Sequence, residues 1–220
     1  MKIILFDVDN TLTPSGKNIT KEMTEVIAKL SKLQDTELGV VGGGTSQKIS
    51  NQLLESIKYF KYIFAECGSI VYIDGILHKE KNILDYCDRN ILNEMIRLSM
   101  IEISKLDILF SGCQIDFRRG LVSISPPGFQ ASDIERNIFI GLDSKIDFRN
   151  CLIDKLKKID VCDIFDINLG GEVSISILPR KLNKSQVIEY LIEYDHIYFF
   201  GDKCEPNGND YPLYSNKLVA

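Results

Sequence analysis

The sequence predicts an α/β fold in which a Rossmann-like, doubly wound parallel sheet is interrupted by an inserted α+β unit. Over the first third of the chain, short apolar segments rich in β-forming residues alternate with amphipathic helical segments, which is typical of a parallel sheet covered by helices. In the middle third, neighbouring β segments are joined by short turns, which is typical of antiparallel hairpins. The helix–strand alternation returns near the C-terminus, so the first and last parts are predicted to form one core.

The first part of the core is predicted to cover residues 1–78. Lys2–Val8 is an apolar run of β-forming residues and predicts a buried parallel strand. Thr20 is a predicted N-cap, because apolar residues recur at helical spacing directly after it. Two more short strands are predicted at Leu38–Val41 and Tyr62–Ala65, with a second helix between them and a hairpin after them.

The α+β unit, a predicted cap, covers residues 79–180. Its first helix is predicted at Asp88–Ser104, and Ser132 with Glu135 forms a capping box at the start of another helix. Its strands are predicted in two antiparallel pairs around glycine-containing turns: Gln114–Arg118 with Leu121–Ser125, and Asp163–Leu169 with Glu172–Leu178.

The second part of the core is predicted to cover residues 181–220. A helix is predicted to begin at Lys184, and the apolar run Ile197–Phe200 predicts a further parallel strand. Gly201 and Asp202 follow this strand directly, which places an acidic side chain at its carboxyl end.

The composition excludes several classes of function. The chain has 26 Lys+Arg against 31 Asp+Glu and a net charge of −5, which argues against a general affinity for nucleic acid or for an anionic membrane. No apolar run approaches the roughly 18 residues that a membrane span needs, and the start of the chain does not resemble a signal peptide. The six cysteines form no CxxC pair, and there are only two histidines. We therefore expect a cytoplasmic protein whose catalysis depends on carboxylates.

Acidic residues follow two of the predicted parallel strands. Asp7 and Asp9 end the first strand, and Asp202 ends the last one, with Asp210 eight residues later. Ligands of open α/β sheets bind at this edge, where carboxylates act as nucleophile, as general acid/base and as ligands of a hard cation such as Mg²⁺. The alternative is a strand-to-loop turn in which these side chains only bond their own backbone. Lys184, at the start of a helix, is a candidate to neutralise a phosphoryl group, and the alternative is an ordinary lysine on the surface of that helix.

These residues resemble a known family. Asp7–Thr13, Lys184 and Gly201–Asp210 look like the signature of the haloacid dehalogenase superfamily. The resemblance to eukaryotic-type phosphomannomutases is closer and extends over nearly the whole chain. It is carried by these segments: Phe6–Thr13, Ile19–Met23, Gly39–Gly43, Ile115–Pro126, Gly170–Ser174, Tyr198–Asp202 and Pro206–Asp210.

The resemblance implies a haloacid dehalogenase core with an α+β cap, and a reaction. Such enzymes interconvert mannose 6-phosphate and mannose 1-phosphate through a hexose bisphosphate, with hexose 1,6-bisphosphate as activator. By resemblance, Asp7 is the nucleophile that forms an aspartyl-phosphate and Asp9 the general acid/base. Mg²⁺ is held by Asp7, the Asp9 carbonyl and Asp202, with Asp210 in support, and Lys184 binds the phosphate. The resemblance also implies a homodimer formed through the cap and a supply route to GDP-mannose.

A mutase needs a second phosphate site in addition to the one beside its nucleophile. The family uses cap arginines, and Arg118 and Arg136 match them, since a guanidinium binds phosphate through two parallel hydrogen bonds. Ser174 and Ser176 are predicted sugar contacts. A third family arginine is replaced by Phe129.

Other positions also depart from the family pattern. An aspartate is replaced by Ser176 and a phosphate-binding serine by Gly44, where Thr45, or alternatively Ser46, is the predicted substitute. Asn10 replaces a glycine, and asparagine tolerates positive φ better than most residues. Cys67 replaces an asparagine.

Two alternatives stay open from the sequence. One is a Mg²⁺-dependent sugar-phosphate phosphatase on the same scaffold, in which water replaces the sugar hydroxyl because Phe129 and Ser176 weaken the hold on the sugar. The other is a degenerate, non-catalytic paralogue, suggested by Gly44 and by the absence of the family's closing helix before Ala220. The preference for mannose or glucose phosphates also stays open.

Overall fold

A computed structural model describes residues 1–160, 162–206 and 208–220, so Asn207 of the Pro206–Asp210 segment lies outside the described residues. The chain forms two compact units. The core unit contains Met1–Asn82 and Lys181–Ala220, and the cap unit contains Ile83–Arg180. The predicted cap boundary at residue 79 falls inside a strand of the core sheet, Ile76–Glu80.

The core unit is built on a six-stranded sheet. Its strands are β1 (Lys2–Phe6), β2 (Thr36–Val41), β3 (Tyr62–Ala65), β4 (Ile70–Ile73), β5 (Ile76–Glu80) and β10 (His196–Phe200). They are ordered β10-β1-β2-β3-β4-β5 in the sheet. β10, β1, β2 and β3 are mutually parallel, whereas β3, β4 and β5 are antiparallel neighbours. The predicted α/β fold is therefore confirmed, and the apolar runs are buried because helices cover a parallel sheet on both faces.

The register of β1 brings the site residues together. Phe6 pairs with Phe200 of β10, so Asp7 and Gly201 leave neighbouring strands at the same edge of the sheet. Leu5 lies opposite Gly39 of β2, where a Cβ would come within 2.6 Å of the Leu5 side chain. This close approach explains the glycine in the middle of a strand, which otherwise weakens it.

The helices of the core unit are short. They are α1 (Lys21–Leu30), α2 (Ser46–Leu53) and α6 (Tyr211–Tyr214), together with 3₁₀ helices at Leu54–Tyr59, Glu66–Gly68, Arg180–Leu182 and Lys184–Tyr190; the 3₁₀ helix Arg180–Leu182 spans the boundary with the cap unit. Thr20 accepts a hydrogen bond from the Met23 amide, as its predicted N-cap role requires. The helix predicted to begin at Lys184 is a 3₁₀ helix, with Asn183 as its N-cap. Among the described residues, no helix is long and apolar enough to cross a membrane.

In the described part of the cap unit, an antiparallel sheet is accompanied by α-helices and by the 3₁₀ helix Ile83–Asp85. The other elements are α3 (Arg89–Ile103), β6 (Ile115–Phe117), β7 (Val122–Ile124), α4 (Asp133–Ile146), α5 (Phe148–Ile159), β8 (Phe165–Leu169) and β9 (Ile175–Pro179). The four strands are ordered β6-β7-β9-β8 in the sheet. The predicted capping box of Ser132 and Glu135 is present at the start of α4.

The two faces of the cap sheet differ in chemistry. Ile124, Ile175 and Ile177 are fully buried and pack with the helices in one apolar cluster. The alternate positions form a polar row across all four strands, because paired residues share a face: Asp116, Ser123, Ser176 and Asn168.

The predicted strand Glu172–Leu178 is wrong at its start, because β9 begins at Ile175. Ser174 instead closes the turn that precedes the strand. Its carbonyl accepts from the Gly170 amide at 2.9 Å and its hydroxyl from the Gly171 amide at 3.0 Å. Local hydrogen bonds of this kind compete with the strand ladder.

Candidate active site

Three acidic side chains meet at the carboxyl end of β1. Asp7, Asp202 and Asp210 each offer a carboxylate oxygen, and these atoms all lie within 4.8 Å of one another. Asp7 continues from β1 and its amide donates to the Phe200 carbonyl of β10 at 2.8 Å, which fixes it beside Asp202. Asp7 and Asp210 are buried, and Asp202 is exposed. The cluster is therefore open to solvent on the Asp202 side.

Lys184 is the buried counter-charge of this cluster. Its Nζ donates to Asp7 Oδ1 at 2.5 Å and to Asp210 Oδ1 at 2.5 Å, and its side chain is fully buried. Burial alone would lower the pKa of Lys184, but the charges of Asp7 and Asp210 outweigh burial and raise it. Lys184 is therefore a permanent positive charge at the position where the sequence predicts a phosphate contact.

The electrostatics of Asp7 reflect its burial. Burial raises its pKa to about 6, Lys184 partly offsets this shift, and the nearby Asp210 adds to it. The charge of Lys184 therefore does not fully offset the cost of burying the Asp7 carboxylate. A bound cation would add positive charge and favour the ionised form of Asp7.

Asp210 is held in place by backbone contacts. Its Oδ2 accepts from the Lys203 amide at 3.1 Å, and a Cβ on Gly201 would come within 2.6 Å of the same oxygen. The glycine before Asp202 is therefore required by the close approach of Asp210.

The side chain of Asp9 is not part of the cluster. Its Oδ1 accepts from the Gly16 amide at 2.7 Å and from Gln52 Nε2 at 2.8 Å, and its Oδ2 accepts from Lys48 Nζ at 3.0 Å. Burial alone would raise the pKa of Asp9, but the Lys48 charge and these hydrogen bonds lower it. The hydrogen-bond partners of the Asp9 carboxylate are therefore α2 and the Gly16 amide, whereas Asp7 faces Lys184.

Two departures from the family pattern lie beside this site. Asn10 has φ of 62°, so the position does require the left-handed backbone that asparagine tolerates. Its Nδ2 also donates to Asp202 Oδ2 at 3.2 Å. Thr45 is the N-cap of α2, and its hydroxyl accepts from the Lys48 amide at 3.2 Å, so that oxygen already has one partner.

The donor set fits a divalent cation. Asp7, Asp202 and Asp210 supply hard carboxylate oxygens, which Mg²⁺ prefers over nitrogen or sulfur ligands. The side-chain oxygen of Asn209, the residue before Asp210, is buried without a hydrogen-bond partner among the described residues. Water or a hydrated cation would satisfy a buried acceptor of this kind.

In the cap unit, the two predicted phosphate-binding arginines have acidic partners. Arg118 Nε donates to Asp116 Oδ2 at 2.6 Å, and its guanidinium lies 5.7 Å from the centre of the Phe129 ring. Arg136 Nη2 reaches Glu172 Oε2 at 3.4 Å in a more exposed pair. Each arginine is therefore paired with an acid through one of its guanidinium nitrogens.

The two predicted sugar contacts of the cap are two residues apart in sequence but belong to different structural elements. Ser176 belongs to the polar row of β9, whereas Ser174 lies in the preceding turn. Unlike these two serines, Ser125, which follows β7, is buried, and its hydroxyl has no partner among the described residues.

Sequence reasoning missed Lys48 and Gln52. Both reach Asp9 from α2, although they lie 39 and 43 residues away in sequence. Their spacing of four residues on a predicted helix puts them on one face, which is the only signal that the sequence offers.

The architecture matches solved haloacid dehalogenase-fold proteins. A haloacid dehalogenase-like hydrolase from Bacteroides thetaiotaomicron aligns over 96% of this chain and 84% of its own, with a TM-score of 0.57 and 16% identity. The C-terminal domain of a trehalose-6-phosphate phosphatase from C. albicans aligns over 97% of this chain and 73% of its own, with a TM-score of 0.66 and 15% identity. These similarities define the class of fold: a Rossmann-like haloacid dehalogenase core.

The family follows from sequence. The profile of the eukaryotic phosphomannomutase family matches residues 23–219, which include Lys184, Asp202 and Asp210. A phosphomannomutase from Dendrobium officinale is 36% identical over 220 residues, covering 99% of this chain and 86% of that relative. The chain belongs to the eukaryotic phosphomannomutase family, and the resemblance drawn from its motifs is confirmed.

Proposed function

We propose that this protein interconverts mannose 6-phosphate and mannose 1-phosphate through an aspartyl-phosphate and a hexose bisphosphate. The observation that carries the proposal is the buried Asp7 beside Lys184 at the carboxyl end of β1, in a chain that belongs to the phosphomannomutase family. A buried carboxylate with a fixed ammonium group next to it can accept and stabilise a phosphoryl group.

In this proposal, Asp7 is the nucleophile. Its carboxylate oxygen attacks the phosphorus of the bisphosphate, the bond to the sugar oxygen breaks, and the sugar monophosphate leaves. Lys184 neutralises charge on the transferring group, because its ammonium is held within 2.5 Å of Asp7 by the fold.

The proposed general acid/base is Asp9. It protonates the departing sugar oxygen and, in the return step, takes the proton from the attacking sugar hydroxyl. Hydrogen bonds from Lys48, Gln52 and the Gly16 amide to its two oxygens compete with the sugar oxygen for this carboxylate.

We further propose Mg²⁺ as the cation of the site, held by Asp7, Asp202 and the Asp9 carbonyl, with Asp210 in support. When bound, it would neutralise phosphate oxygens and favour the ionised nucleophile. The acidic cluster supports this choice of ion.

The cap residues are proposed substrate contacts. Arg118 and Arg136 would bind the second phosphate, and Ser174 and Ser176 the sugar. Thr45, on the core unit, would contact the phosphate beside Asp7. Hexose 1,6-bisphosphate would act as activator by phosphorylating Asp7. A homodimer through the cap, a cytoplasmic location and a role in GDP-mannose supply complete the proposal.

The test is a coupled assay with purified protein, Mg²⁺, mannose 1-phosphate and a trace of hexose 1,6-bisphosphate. Mannose 6-phosphate and free phosphate are measured together, with Asp7→Asn as the blank. We expect mannose 6-phosphate as the main product. Free phosphate as the main product would favour the phosphatase alternative, and no product above the blank would contradict both activities.

A further inference from the structure

Asp7 and Asp9 both follow β1, but their carboxylates have different hydrogen-bond and charge partners. Asp7 belongs to the cluster with Asp202 and Asp210. Both oxygens of Asp9 instead accept hydrogen bonds from donors outside that cluster: the Gly16 amide, Gln52 Nε2 and Lys48 Nζ. Asp9 is thus bound by three donors, none of which takes part in phosphoryl transfer in the proposed function.

We propose that Lys48 and Gln52 are positioning residues that hold the Asp9 carboxylate in a resting position, and that this position protects phosphorylated Asp7 from hydrolysis. The inference rests on the proposed function, in which Asp9 is the general acid/base. It assigns to α2 a part in deciding whether the phosphoryl group goes to sugar or to water.

Both outcomes of the aspartyl-phosphate use the same base. In transfer, a sugar hydroxyl oxygen attacks phosphorus, the bond from phosphorus to the Asp7 oxygen breaks, and the hydroxyl proton passes to Asp9. In hydrolysis, a water oxygen attacks, the same bond breaks to release inorganic phosphate, and the water proton passes to Asp9. A base that rests on α2 assists neither reaction. A sugar hydroxyl that is held in place by binding competes with the donors of α2 for the Asp9 carboxylate. A mobile water molecule competes with them less effectively.

The two side-chain donors to Asp9, Gln52 and Lys48, differ in burial. Gln52 is buried, and its amide also donates to Thr13 Oγ1 at 3.2 Å and to the Lys17 carbonyl at 3.4 Å, so its position is fixed. Lys48 is half-exposed, and its ammonium is directed at Asp9 Oδ2 from one turn earlier on the helix. Gln52 therefore defines the resting position, and Lys48 adds a bond that is easily broken.

The geometry of α2 supports this arrangement. The hydroxyl of Thr45 caps the helix by accepting from the Lys48 amide, so the residue that binds Asp9 is also the one that the cap fixes. Positions 48 and 52 share a helix face, and one carboxylate can bind both. Gln47 points elsewhere and donates to Asn51 Oδ1 at 2.8 Å, which makes it a control on the same helix.

The test measures how the phosphoryl group on Asp7 is divided between transfer to mannose 6-phosphate and transfer to water. The 220-residue chain is phosphorylated on Asp7 with radiolabelled acetyl phosphate and Mg²⁺, and then chased in buffer with or without mannose 6-phosphate. The ratio of labelled hexose bisphosphate to labelled inorganic phosphate is compared between wild type, Lys48→Met and Gln47→Met. Acetyl phosphate is used because its leaving group needs no proton from Asp9.

We expect Lys48→Met to shift the ratio about two- to fivefold toward inorganic phosphate, as the loss of a partly exposed ion pair allows. Lys48→Arg should restore the wild-type ratio, and Gln47→Met should not change it. A purely structural effect would lower the amount of labelled protein without changing the ratio. Gln52→Leu should shift the ratio in the same direction even if less protein folds, because only phosphorylated molecules are counted.

An unchanged ratio in Lys48→Met, or a shift toward hexose bisphosphate, would overturn the inference while leaving the proposed function intact. A wild-type protein that takes up no label on Asp7 would overturn both. The two failures are therefore distinguished within one experiment.

Discussion

Two lysine–aspartate pairs lie at the carboxyl end of β1, and they differ in burial. The Lys184 side chain is 0% exposed and that of Asp7 is 8% exposed, at 2.5 Å. The Lys48 side chain is 45% exposed and that of Asp9 is 29% exposed, at 3.0 Å. A buried ion pair cannot lose one partner without leaving a desolvated charge, whereas an exposed pair exchanges with water at small cost. The comparison separates the buried pair of the proposed nucleophile from the more exposed pair of the proposed general acid/base.

The largest effect is expected when the buried pair is broken. Lys184→Met leaves Asp7 and Asp210 buried without their counter-charge, so we expect mutase activity to fall to the level of the Asp7→Asn blank. The free energy of unfolding in EDTA should fall by about 3–5 kcal/mol, measured by urea denaturation. Lys48→Met is the matched control and should lose less than about 1 kcal/mol. Equal losses in the two variants would contradict the distinction between the pairs.

The second prediction concerns the close approach of Asp210 to the backbone. Gly201→Ala places a methyl group 2.6 Å from Asp210 Oδ2, so Asp210 must move and its bond to Lys184 must weaken. We expect a loss of stability of about 1–3 kcal/mol, by analogy with overpacking, together with a loss of mutase activity.

The control for this substitution is Gly141→Ala. Gly141 lies in α4, and a Cβ there meets nothing within 4 Å. This change should stabilise the protein by about 0.5–1 kcal/mol, because alanine favours the helix. Thermal unfolding of both variants checks the sign, and a neutral Gly201→Ala would show that Asp210 is not held tightly.

The third prediction tests the cation site. At about 100 times its Kd, Mg²⁺ should stabilise the wild-type protein by about 2.7 kcal/mol, seen as a rise in the thermal midpoint. Asp202→Asn should abolish this rise while leaving the midpoint in EDTA nearly unchanged, because Asp202 is exposed. An undiminished Mg²⁺ effect in Asp202→Asn would remove that residue from the proposed ligand set.

The smallest effect is expected in the cap, where a third pair extends the comparison. Arg118 is bound to Asp116 and packs on the ring of Phe129. Phe129→Leu keeps an apolar side chain but removes the cation–π contact, so we expect a loss of about 0.5–1 kcal/mol in stability. KM for mannose 1-phosphate should rise more than kcat falls if Phe129 acts by orienting Arg118. A fall in kcat alone would contradict that role.

Much of the fold followed from the sequence. The apolar runs of β1, β2, β3 and β10, the N-cap Thr20 and the capping box at Ser132 are local signals, and all of them match the structure. The start of β9 was missed because Ser174 satisfies two backbone amides of the turn, and such a contact leaves no trace in strand periodicity.

The candidate site, like the fold, could be predicted from the sequence only in part. Asp7, Asp202, Asp210 and Lys184 could be selected from the sequence, because strand ends in a parallel sheet meet at one edge and motif spacing identifies which acids lie there. The partners of Asp9 could not be selected, since Lys48 and Gln52 are ordinary residues of an amphipathic helix until that helix packs beside β1.

By itself, the sequence determined the class of fold, the family and the identity of the acids at the sheet edge, because these depend on local apolar patterns and on motif residues. Only the tertiary structure decided which charge each acid faces. Lys184 is buried and forms ion pairs with both Asp7 and Asp210, whereas Asp9 forms an ion pair with Lys48 of α2. Electrostatic partners are set by distances in space and by exclusion of water, and neither quantity is encoded by spacing along the chain.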